Sequence, residues 1–95
     1  MAPETPTNLS DASRALWLAT LSLMAAFMQT QAPAHRLMMA RRIARNFATL
    51  REQPCFSADC RSRFARLHVR WNRQVEQLQG EPRLASPWRA LLGLR

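Results

Sequence analysis

The sequence predicts an all-α fold. It is a three-helix bundle in which helices 2 and 3 form an antiparallel hairpin, with a short C-terminal helix added. Three observations predict this. Apolar residues recur every three to four positions through 33–53 and 57–79, the period of a helix with one buried face. Pro33, Pro54, Gly80 and Pro82 fall at the edges of those segments and not inside them. No alternating strand pattern, internal repeat or low-complexity tract appears along the 95 residues.

The elements follow in order. Residues 1–9 contain Pro3 and Pro6 and show no apolar period, so they read as a flexible arm ahead of a single small helical domain over 10–95. Ser10 or Asp11 is the expected cap of helix 1, because a short oxygen-bearing side chain accepts from the first exposed N–H groups. That helix should run to about Thr30. Leu16, Leu18, Leu21, Leu23, Met24, Phe27 and Met28 fall on several of its faces, so it needs cover on more than one side.

Helix 2 is expected over Pro33–Gln53. Proline suits a first turn, where its missing N–H costs nothing. Met39, Ala40, Ile43, Ala44, Phe47 and Leu50 share one half of its wheel, and Arg41, Arg42, Arg45, Asn46, Thr49 and Glu52 share the other. A short connector over 53–56 leads to Ser57, the expected cap of helix 3, with Asp59 favourable in its first turn. Helix 3 should reach Gln79 and stop at Gly80. Cys60, Phe64, Leu67, Trp71, Val75 and Leu78 form its apolar stripe, and Ile43, Phe47 and Leu50 should meet Phe64, Leu67 and Trp71. Ser86-Pro87 begins the short last helix, whose apolar face is Trp88, Leu91 and Leu92.

Charge narrows the function. Fourteen Arg, no Lys and six acids give a net charge of +8. Such an excess favours nucleic acid, anionic lipid or an acidic protein surface. A G+C-rich genome accounts for Arg in place of Lys, but not for the surplus of positive charge. Arg63, Arg66, Arg70 and Arg73 fall on one face of helix 3 and span about 15 Å at the helical rise. Arg41, Arg42 and Arg45 add a cluster on helix 2. Guanidinium forks pair with phosphate or carboxylate oxygens. These seven residues are the candidate anion- or nucleic-acid-binding site. The chain has no helix-turn-helix, zinc-finger or RNA-recognition signature, and its aromatics sit on apolar stripes, so contact should be with backbone and not with bases.

Other chemistries find little support. Six scattered acids and two His, neither with a carboxylate near it in sequence, do not make a catalytic set, so no enzyme activity is expected. Cys55 and Cys60 are spaced for neither a redox nor a zinc motif; they could close a small disulfide if the start of helix 3 is frayed. His68 lies too far along its helix from Cys60 to share a metal, and no metal or other cofactor is expected. Met24, Met28, His35, Met38 and Met39 resemble a copper set, but core filling explains the methionines better.

Residues 15–28 carry no charge. The run is shorter than the roughly 20 apolar residues a spanning helix needs, and the residues before it are slightly acidic, unlike an export signal. A buried helix of a cytoplasmic bundle is the expectation. Leu16, Leu18, Leu21, Leu23 and Phe27 are the expected association surface, most simply for a homodimer or within a hetero-complex. The leading expectation is a small non-enzymatic regulatory or binding protein with an anionic partner, nucleic acid or an acidic protein. One rival is an inner-membrane-associated accessory subunit with 15–32 in or on the bilayer. Another is a helical adaptor or chaperone for a second protein.

Overall fold

A computed structural model describes residues 5–80, and all their regular structure is helical: α1 (Thr5–Gln29), α2 (Pro33–Leu50) and α3 (Ala58–Gln79). α2 and α3 pack most closely on each other, and α1 lies chiefly on α2. The expected C-terminal helix lies outside the described residues.

Helix boundaries depart from expectation at two places. α1 begins at Thr5, so Ser10 and Asp11 are interior residues and 5–9 is helical. Pro6 falls in the first turn, where no backbone donor is lost. α2 ends at Leu50, three residues before the expected end. Pro54 disfavours helical backbone at Gln53, and the chain tightens into a turn through Glu52 N–H to the Thr49 carbonyl and Gln53 N–H to the Leu50 carbonyl, both 3.1 Å. α3 starts as expected: the Ser57 hydroxyl accepts from the Cys60 N–H at 3.1 Å, with Asp59 in the first turn. Gly80 closes α3 with ordinary negative φ, its N–H donating to the Glu76 carbonyl.

The core is a stack of aromatic rings between three helices. Trp17 of α1 stands 5.1 Å from Phe64 and 6.0 Å from Phe47, which are themselves 6.0 Å apart. Phe56 from the connector adds an edge contact to Phe64 at 5.1 Å. Farther along, Phe27 of α1 meets Trp71 edge-on at 5.1 Å. Ile43, Phe47 and Leu50 are fully buried, and Phe64, Trp71 and Leu78 nearly so; Leu67 is only partly covered. Each full burial of this kind contributes about 1.5–3 kcal/mol. The inner face of α1 thus completes a core that the α2 and α3 stripes leave open.

Polar groups tie α1 to α2. Thr20 is completely buried. Its Oγ donates to the Leu16 carbonyl at 2.7 Å and accepts from Asn46 Nδ2 at 3.0 Å. Seven residues earlier on α1, the buried Ser13 hydroxyl donates to Oε1 of Gln53, in the turn after α2, at 3.0 Å. These two pairs fix the sliding register of α1 on α2, since a shift would leave buried polar atoms unbonded. Among the described residues no helix is long and apolar enough to cross a membrane.

Candidate anion-binding face

The apolar stripe of α3 turns Phe64, Trp71 and Leu78 inward, and the helical period leaves Arg63, Arg66, Arg70 and Arg73 on its outer flank. All four are exposed. They line one open groove of about 870 Å³, joined among the described residues by Ser62, Ala65, Leu67, Val69 and Arg51 from the end of α2. Five guanidiniums therefore border one surface whose floor is partly apolar.

Their partners differ. Arg63 Nε lies 3.1 Å from Asp59 Oδ2, one helical turn away. Arg51 Nε lies 3.3 Å from Glu52 Oε2. Both pairs are exposed, and such pairs are held weakly enough to exchange for another anion. Arg66, Arg70 and Arg73 have no carboxylate partner among the described residues. They span about 10 Å of helix.

The second predicted cluster separates from the first. Arg41, Arg42 and Arg45 are exposed on α2, but none of them lines the groove. Arg51 takes their place, a residue the wheel of helix 2 did not single out.

Several other candidates change role. Phe27 is only 4% exposed and so leaves the expected association surface; Leu16 and Leu23 are partly buried against the core, and Leu18 and Leu21 are exposed. They divide because α1 uses one flank to roof the aromatic stack. Met24 and Met39 pack on the core as expected, whereas Met28 and Met38 are exposed and fill nothing. Cys55 and Cys60 are exposed free thiols, and the suggested disulfide is not formed. Its condition was a frayed start of helix 3, and the Ser57 cap holds that turn closed. Among the described residues no three His, Cys, Asp or Glu gather as a metal site.

Arg36 and His68 take roles in the scaffold behind the groove that the sequence did not reveal. Arg36 Nη1 donates to the Phe27 carbonyl at 3.0 Å and the Thr30 carbonyl at 2.9 Å, and its guanidinium lies 4.0 Å over the Phe27 ring. It closes the carboxyl end of α1 with a cation, where the helix dipole favours one. His68 donates from Nδ1 to the Ala44 carbonyl at 2.9 Å and accepts at Nε2 from Asn72 Nδ2 at 3.1 Å, which sets its neutral tautomer. This bond pins α3 against α2. No spacing rule marks either residue, because each partner is brought up only by the turn between helices.

Comparison of the chain with protein-family models, with curated proteins and with solved structures gives no match.

Proposed function

We propose that this chain is a small, non-enzymatic basic helical protein that grips the phosphate backbone of nucleic acid through the outer face of α3, in an antiparallel hairpin of α2 and α3. The observation that carries this reading is the trio Arg66, Arg70 and Arg73: exposed, along one edge of one groove, with no carboxylate partner among the described residues. Arg63 and Arg51 extend the row once their weak local pairs give way. An arginine fork suits a phosphate because two parallel N–H groups meet two oxygens. Binding through such contacts is driven by release of condensed counterions, so it tolerates any base sequence and fails as salt rises.

The test is fluorescence anisotropy of a labelled DNA duplex titrated with protein at several salt concentrations. Log affinity should fall linearly with log salt, by about 0.9 for each phosphate contact. Arg66→Gln/Arg70→Gln/Arg73→Gln should flatten that slope by about 2 to 3 while the helical circular dichroism stays unchanged. A wild-type protein that ignores the duplex at low salt refutes the reading. So does a triple variant that binds with the same slope.

A further inference from the structure

α1 differs from its neighbours in charge. α2 carries Arg36, Arg41, Arg42 and Arg45 and no acid, and α3 sets five Arg against Asp59 and Glu76. α1 holds one acid, Asp11, and one cation, Arg14. On this neutral helix Leu18, Leu21 and Met28 are 63%, 41% and 77% exposed. With Ala25 they repeat at intervals of three, four and three residues, the spacing of a two-helix seam. The seam runs along the flank that α1 turns away from Thr20 and Phe27.

We infer that this seam pairs with the same seam of a second copy of the chain, running antiparallel. Charge selects the occupant. Two chains of net charge +8 repel wherever Arg-bearing faces meet, and α1 is the described helix without a net charge. The seam has no row of cations to attract an acidic protein. It also lacks the Lys- or Arg-rich border by which an amphipathic helix holds to anionic lipid. Charge also selects the direction. Continued toward the N-terminus, the seam reaches Arg14 and then Asp11. A parallel pair would set each of these against its own like charge. An antiparallel pair centred between Leu21 and Ala25 sets Leu18 against Met28 and Leu21 against Ala25, and leaves both charges in water beyond the contact. A seam of four layers buries on the order of 1,000 Å² in total, the lower end for specific association.

The pairing has a consequence that rests on the nucleic-acid reading. Phe64 and Trp71, whose rings meet Trp17 and Phe27 of α1, lie on the buried face of α3. The exposed Arg row therefore lies outside the contact with α1. A dimer joined through α1 carries two such rows pointing outward, and it grips two stretches of one polyanion at once.

Sedimentation equilibrium of the full chain, reduced and without nucleic acid, tests the pairing. At about 100 μM, enough to populate any dimer with a micromolar or tighter dissociation constant, the mass should be twice the 10.9 kDa of one chain. Leu18→Glu/Leu21→Glu should return it to one chain at unchanged helicity. Should those charges unfold the chain, Leu18→Ala/Leu21→Ala/Met28→Ala makes the same measurement with good helix formers. A wild type at single-chain mass, or a folded variant still at double mass, overturns the dimer. Direction is read in a Cys55→Ser/Cys60→Ser background under oxidised glutathione. Leu18→Cys mixed with Met28→Cys should cross-link, and Leu18→Cys that cross-links with itself as readily overturns the antiparallel order. Finally, the monomeric variant should hold a short duplex as wild type does, yet lose about a hundredfold in apparent affinity for a long one. Equal affinity for the long duplex overturns the bivalent grip. If neither protein binds a short duplex, the nucleic-acid reading fails while the mass result stands.

Discussion

Thr20 ties α1 to α2 from a fully buried position. A threonine inside a helix ordinarily turns its hydroxyl back to the preceding turn, as this one does to Leu16. Here the same oxygen also receives the Asn46 amide in a fully buried site. Thr20→Val keeps the shape and removes the acceptor, stranding the Asn46 donor. The expected loss is about 1–3 kcal/mol in urea denaturation. Thr20→Ser keeps the bonds and should cost less, which separates the hydrogen bond from the packing. Arg36 acts at the other end of α1, where one guanidinium serves two carbonyls and an aromatic face. Arg36→Met retains the stem and removes the charge. It should lower stability by about 1–2 kcal/mol, and added salt should restore none of it, because hydrogen bonds to carbonyls are lost and not an ion pair.

At the scale of elements, α3 owes its sharp start to Ser57. The cap satisfies the Cys60 N–H, and Asp59 adds a negative charge where the dipole favours one. Ser57→Ala should cost about 1 kcal/mol and loosen the first turn. A thiol-reactive dye checks the second effect. Both cysteines should react in the native chain without loss of helicity, and under mild oxidation the Ser57→Ala chain should form the Cys55–Cys60 disulfide faster than wild type. Equal rates would mean that the cap does not control that turn. The start of α1 teaches a different lesson. Ser10 and Asp11 have the chemistry of caps, yet the helix runs through both. A capping side chain marks where a helix can begin, and an earlier proline in a compatible first turn can begin it sooner.

At the scale of the molecule, charge and grease are separated by helix. α1 carries no net charge, while α2 and α3 carry a large excess of arginine over acid. The groove uses four arginines of α3 and Arg51 after α2, and leaves Arg41, Arg42 and Arg45 outside it. That division gives a further expectation. Arg41→Gln/Arg42→Gln/Arg45→Gln removes as much charge as the α3 triple variant. If contact is local to the groove, the α2 variant should shift the salt slope of duplex binding by less than one contact, against two to three for α3. Equal effects from the two variants would mean that net charge alone drives binding and that the groove has no special part.

Legible in the sequence alone were the presence of three helices, the stripes that α2 and α3 turn inward, the Ser57 start and the exposed Arg row of α3. All of these follow from the 3.6-residue period and from side-chain chemistry within one turn, so neighbours in sequence suffice to specify them. Only the tertiary structure decided which flank of α1 is spent on the core, taking Phe27, Leu16 and Leu23 and leaving Leu18, Leu21 and Met28 outside. It alone brought Asn46 to Thr20, Gln53 to Ser13, Arg36 to the end of α1 and Arg51 to the groove. The reason is rotation. A helix that is apolar nearly all round has no face fixed by its own pattern, and its orientation is set by whichever partner atoms on another helix satisfy its buried polar groups.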